Sequence, residues 1–214
     1  MDPTTAYQIV RLPGVASTNT SGHKFGLVYP GVGWVLWRDA EALPDELVFK
    51  VNYLGGEMPT LTLNFSRSGG QVVAQYHTLL RLGREGYRQV QHECRDVAIY
   101  TSSRIAELGP FRLLTRGDEL PVSAFALHQT NYSVFDVSAA LRERGWQVSA
   151  YTFPANREDL AALCVVVRNG TGRELSHLLL DDLAHLHPRL QRQAAPARGT
   201  EARCLDHATA QRKS

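Results

Sequence analysis

Between Gly70 and Leu108 apolar residues return at three- and four-residue steps: Val73, Tyr76 and Leu80, then Tyr87, Val90, Cys94 and Val97. That period lines them along one face of a long α-helix, and Gly109-Pro110 supplies its stop. Gly83 and Gly86 fall inside the run. Each costs roughly 1 kcal/mol against alanine in a helix interior, so a break or kink is expected there. The helix divides the chain into two stretches with different patterning.

After Pro110 short strands and helices alternate. Phe111–Leu114 and Val122–His128 read as strands, and Ser133–Arg144 reads as a helix. Ser133 is a candidate N-cap with Asp136 three residues on, and Gly145 is the stop. Trp146–Phe153 and Leu163–Arg168 follow as strands, then Arg173–His187 as a helix. The order β-β-α-β-β-α predicts a small α+β layer, an antiparallel sheet with helices on one face. Beyond Leu190 the Ala-, Arg- and Gln-rich sequence has almost no apolar periodicity, and residues 191–214 are expected to be a disordered tail.

Before the long helix the pattern is strand-like. Residues 1–18 read as an extended segment. Phe25–Tyr29 and Gly33–Trp37 read as two strands joined by Pro30-Gly31-Val32-Gly33. Gly31-x-Gly33 lacks the third glycine and the following helix of a dinucleotide loop, so it is read as a plain turn. Ala40–Leu47 reads as a short helix, Val48–Leu54 as an exposed hairpin arm, and Leu61–Phe65 as another alternating strand.

With 43% hydrophobic and 21% charged residues in 214, the chain can bury a core. A net charge of +2 is too small to argue for nucleic acid or an anionic membrane. No apolar run approaches the roughly 18 residues of a membrane span, and the first residues do not read as a secretory signal. Cys94, Cys164 and Cys204 are odd in number and widely spaced, which suggests neither a disulfide framework nor a zinc site and fits a reducing, cytoplasmic setting.

The stretch with chemistry in it is Thr20-Ser21-Gly22-His23-Lys24-Phe25-Gly26. A lysine after a hydroxyl residue and a histidine can carry a cofactor aldehyde as a Schiff base. Backbone N–H groups and a hydroxyl beside it can hold a phosphate, and the glycines let backbone approach. His177, Asp181 and His185 share a helix face at steps of four, a spacing open to metal, but such residues are usually just solvated and no metal is expected.

The run NTSGHKFGLVYPGVGWVLWR, followed by LPDELVFKVNYLGGEMPTLTLNFSRSGGQVVAQYHTLLRLGREGYRQV, closely resembles glutamate decarboxylases of the bacterial and plant type, group II pyridoxal-phosphate decarboxylases of fold type I. More loosely the resemblance continues to Leu190, and it covers the C-terminal half of a family member. It implies an α/β chain: the end of a cofactor-binding large domain with its connecting helix over 1–110, and a small α+β C-terminal domain over 111–190. Pyridoxal 5′-phosphate is the implied cofactor, L-glutamate the substrate, 4-aminobutyrate and carbon dioxide the products. The intact relatives form homodimers or hexamers.

By the same resemblance Lys24 is the catalytic Schiff-base lysine, and His23 and Ser21 lie at the cofactor. Ser66 reaches the phosphate of a neighbouring subunit, and Tyr53 belongs to the hairpin over the active site. The strand Leu163-Cys164-Val165-Val166-Val167-Arg168 carries cysteine where the family's carboxylate-binding arginine is expected, and strand counting puts Arg168 about 13 Å further on. The aspartate that pairs with the pyridine nitrogen is not in this chain. Two readings stay open: a decarboxylase polypeptide that does not turn over as this chain alone, or a non-catalytic fragment that only associates with intact subunits.

Overall fold

The computed structural model describes residues 12–52, 55–60, 66–128 and 130–193. Its organising element is α1, Gly70–Glu107, which bends sharply at Gly83. Gly83 sits at φ 55°, ψ −170°, a conformation open essentially to glycine. Two helical arms therefore meet in a V. The sequence offered two glycines for this bend, and the second has another use: a Cβ on Gly86 would lie 2.9 Å from Leu82 Cβ, so its bareness lets the arms close.

The C-terminal arm of α1 leads into the layer predicted after Pro110. Strands β5 (Phe111–Leu113), β6 (Val122–Leu127), β7 (Ser149–Thr152) and β8 (Ala161–Val166) form one antiparallel sheet in the order β5-β6-β8-β7. Period-two alternation puts Phe111, Phe125 and Leu163 on one face, where they pack on α2 (Val134–Glu143), α3 (Arg173–Gln193) and Ile105 of α1. Phe125, Leu163, Leu141 and Ile105 are fully buried, and Phe111 meets Phe125 edge-on at 5.2 Å. A polar seam fixes α1 to this layer: Ser102 Oγ lies 2.7 Å from Ser123 Oγ, and Thr101 Oγ1 donates to Ser176 Oγ at 3.0 Å. These groups are buried, and each needs the other's partner there.

Helix ends follow their sequence signals. Ser133 and Asp136 form a reciprocal capping box on α2, satisfying two N–H groups the helix cannot. The third helix corrects the expected end at His187, because it runs through Pro188 to Gln193. Proline removes one intrahelical bond, but Leu186 and Leu190, one turn apart, are both buried and hold the extra turns down. Asn131 Nδ2 also donates to Gln191 O at 3.2 Å. Residues 191–193 are thus helix, not tail, and the rest of the expected tail lies outside the described residues.

Ahead of α1 three expectations need correction. The partner of β2 (Gly33–Trp37) is not Phe25–Tyr29 but β1 (Ser17–Ser21), antiparallel with Thr20 opposite Trp34. Phe25–Tyr29 is turn and coil. Ala40–Leu47 contains only a single 3-10 turn, Asp45–Leu47, since Pro44 takes an extended conformation before it. The hairpin arm is shorter than read: β3 (Phe49–Val51) pairs with β4 (Met58–Thr60), while Tyr53 and the expected strand Leu61–Phe65 fall outside the described residues.

Candidate active site

Lys24 sits at the apex of the loop that links β1 to β2. Its N–H donates to Ser21 O at 3.1 Å, Val28 N–H returns to Gly22 O at 3.2 Å, and Gly22 N–H reaches Val32 O at 2.9 Å. The loop therefore closes on itself at its base. It can do so because Gly22 and Gly26 touch: a Cβ on Gly26 would lie 2.6 Å from Gly22 O, and one on Gly22 would lie 2.6 Å from Val32 Cγ1. Leu27 takes a positive φ of 57° to turn the chain at this crossing.

The base is pinned to α1 from both arms. Gln75, on the first arm, donates from Nε2 to Gly26 O at 2.7 Å, and Tyr87, on the second, donates its hydroxyl to the same oxygen at 2.8 Å. Gln75 Nε2 and Tyr87 Oη are themselves 3.1 Å apart. Twelve residues of straight helix span about 18 Å, so the bend at Gly83 is what brings these two side chains together. Burial pushes the Tyr87 hydroxyl above its ordinary pKa, and the Gln75 contact partly opposes this.

Above the loop lies an open cleft of about 410 Å³. Leu27, Val28, Tyr29 and Ala74 give it an apolar wall, and His23, Lys24, Thr78, Arg168 and Asn169 give it polar groups. Two fixed cations and no carboxylate line it, so it favours an anion. Thr78 is already engaged, its hydroxyl donating to Ala74 O at 2.8 Å.

The predicted site residues divide accordingly. The fold brings His23 and Lys24 into the cleft, both exposed. Ser21 ends β1 half-buried, contributing its carbonyl to the lysine turn, and Ser66 is exposed in the coil before α1; neither lines the cleft. Tyr53 lies outside the described residues. Cys164 lies mid-strand on β8, opposite Ser149 and Ala124, and burial pushes its thiol pKa up. It lines a second cavity of about 280 Å³ with Trp146, Thr171 and Leu175, which Arg168 borders as well.

Arg168 is the residue that strand counting set aside. It emerges after β8 ends, and the preceding Val167 is buried against Cys94, Val97 and Ala98 of α1. Past that anchor Arg168 is exposed and borders both the lysine cleft and the cavity beside Cys164. No periodicity could have revealed this, because it depends on the sheet meeting α1. The histidines of α3 are otherwise occupied: His177 Nε2 lies 2.8 Å from Tyr100 Oη, and His185 Nδ1 lies 2.6 Å from Asp181 O.

The loop, the bent helix and the sheet together put Lys24 at an open cleft on the fold of fold-type-I pyridoxal-phosphate enzymes. The profile of the pyridoxal-dependent decarboxylase conserved domain matches residues 1–128, and the chain belongs to that family. It is 51% identical over 179 residues to a glutamate decarboxylase of Aliivibrio fischeri, covering 82% of this chain and 39% of that one. Against a glutamate decarboxylase of Solanum lycopersicum it is 47% identical over 184 residues, 86% of this chain and 37% of the relative. Among solved structures, Lactobacillus brevis glutamate decarboxylase superposes with a TM-score of 0.79 at 45% identity, over 85% of this chain and 42% of that one. The chain thus spans about two fifths of the length of the relatives it matches.

The residues present fit the family's cofactor. An exposed primary amine at a tight turn suits an aldehyde, and an acid-free cleft with His23 and Arg168 beside it suits a phosphorylated or carboxylated ligand.

Proposed function

We propose that this chain is the lysine-bearing portion of a glutamate decarboxylase, converting L-glutamate to 4-aminobutyrate and carbon dioxide. Residues 1–110 supply the cofactor-binding part and residues 111–190 a small C-terminal domain. The observation that carries this is that Lys24 and Arg168, far apart in the chain, line one cleft that no carboxylate lines. A dicarboxylate substrate and a phosphorylated cofactor both need cations there.

When bound, pyridoxal phosphate supplies an electron sink for the pair left at Cα as carbon dioxide departs. Lys24 provides the amine that holds its aldehyde and can return a proton to Cα. Arg168 offers the planar fork that binds a carboxylate in two places, the role the sequence reading placed at position 164. His23 lies at the cofactor, Ser21 supports it from the foot of the lysine turn, where its carbonyl accepts from Lys24 N–H, and Ser66 serves a neighbouring subunit's phosphate. The apolar wall of Leu27 and Val28 helps keep water from that carbon. The active species is a cytoplasmic homo-oligomer, a dimer or hexamer.

A second reading, association with intact decarboxylase subunits without turnover, draws on the first arm of α1. Val72, Val73, Tyr76, Leu79 and Leu80 are all exposed there, a contiguous apolar stripe of the kind that marks a contact surface.

The test is titration of the chain with pyridoxal phosphate, borohydride reduction and peptide mapping over its three lysines, Lys24, Lys50 and Lys213. Label concentrated at Lys24, and weakened by Arg168→Ala, is expected. Label spread evenly over the three would refute the assignment. Adding glutamate to wild type and to Cys164→Arg then separates cofactor binding from turnover.

A further inference from the structure

The lysine loop has one carbonyl that receives two side-chain donors from far along the chain. Gly26 O accepts from Gln75 Nε2 and from Tyr87 Oη, while Gln75 is 1% exposed and its Oε1 has no partner. A buried amide with an unsatisfied oxygen is costly. It is tolerated here because the amide's nitrogen is committed to the loop and to Tyr87. Space is equally committed: a Cβ on Gly26 would lie 2.3 Å from Gln75 Oε1. Neither Gln75 nor Tyr87 lines the cleft that holds Lys24.

We infer that Gln75 and Tyr87 are positioning residues for Lys24, acting through the Gly26 carbonyl to fix where the amine stands over the cleft. The inference rests on Lys24 being the cofactor-bearing amine. Gly26 is two residues from Lys24, and Lys24 N–H, Leu27 N–H and Val28 N–H all close bonds within the same loop. A rotation at Gly26 would therefore carry the whole apex with it. With both donors in place the amine has one position. With either removed, the carbonyl is free to turn to water and the apex samples several.

The experiment uses Tyr87→Phe, which keeps the ring and loses one oxygen, and Gln75→Met, which keeps the length and loses the donors. Hydrogen exchange over residues 22–28 is read alongside β6 and β8. The fraction of borohydride-fixed pyridoxal phosphate on Lys24 relative to Lys50, an exposed lysine 3.8 Å from Glu57, is read on the same samples. Exchange about tenfold faster over 22–28, as expected when Gly26 O loses one of its two donors, with β6 and β8 unchanged and the Lys24 fraction reduced, is the expected result. The double variant, which leaves Gly26 O with neither donor, should accelerate exchange over 22–28 more than either single one. Unchanged exchange over 22–28 in both single variants overturns the inference. So does acceleration that spreads equally to β6 and β8, which would make the pair merely structural. Wild type that labels Lys24 no more than Lys50 overturns instead the reading of Lys24, whatever the exchange shows.

Discussion

Gly83→Ala tests the bend directly. At φ 55°, ψ −170° a side chain costs about 1–3 kcal/mol of backbone strain. An added Cβ would meet nothing within 4 Å, so no neighbour adds to that figure. The helix has one escape, which is to straighten. Straightening gains about 1 kcal/mol of helix propensity. It also draws Gln75 and Tyr87 apart and breaks the three hydrogen bonds that join them to each other and to Gly26, at about 1 kcal/mol each. Either route ends near 2 kcal/mol of destabilisation. Urea unfolding followed by tryptophan fluorescence gives the stability, and hydrogen exchange over residues 22–28 distinguishes the routes: strain leaves the loop protected, straightening exposes it. A variant within about 0.5 kcal/mol of wild type, the ordinary scatter of surface substitutions, with the loop still protected would refute the reasoning.

Other expectations concern the sheet layer and its pH response. Ser133→Ala removes one half of the α2 capping box and should cost about 1 kcal/mol, seen as a lowered melting temperature. Phe125→Ala, at a fully buried position, should cost about 3–5 kcal/mol and abolish the cooperative melt of the layer. Burial raises the folded-state pKa of Tyr87 above 10.0 and of Cys94 above 9.0. Above those values the unfolded chain releases protons that the folded chain keeps, so stability is full below them and falls as pH rises through the folded values. Stability measured by urea titration from pH 8 to 11 should decline, and Tyr87→Phe should flatten part of that decline. Glu85 runs the other way: Arg88 holds its carboxyl at about 2, so its contribution is lost as pH falls from 4.5, but the pair is exposed and added salt should erase the effect.

Where local signals suffice, the sequence reading and the structure agree. The β-β-α-β-β-α order, the Ser133 cap and the kink in the long helix each depend on a few neighbouring residues, and each is where it was expected. The misreadings share a different cause. Phe25–Tyr29 is apolar enough for a strand, but Gly26 is taken by Gln75 and Tyr87, and the polar run Ser17–Ser21 pairs with β2 instead. The last helix reads as ending at His187, since nothing local shows that Leu190 is buried. Of the site, His23 and Lys24 were legible as a motif. Arg168 was not, since alternation along β8 says which face a residue takes and nothing about what lies past the strand's end.

The two cationic side chains that line the cleft are fastened to one lever. Lys24 hangs from both arms of α1 through Gly26, and Arg168 follows Val167, which is wedged against Cys94, Val97 and Ala98 on the second arm. The gap between amine and guanidinium is therefore set at a fulcrum that touches neither of them. A substitution that changes the opening at Gly83 by a few degrees resizes the gap, while replacing none of the residues that line the cleft.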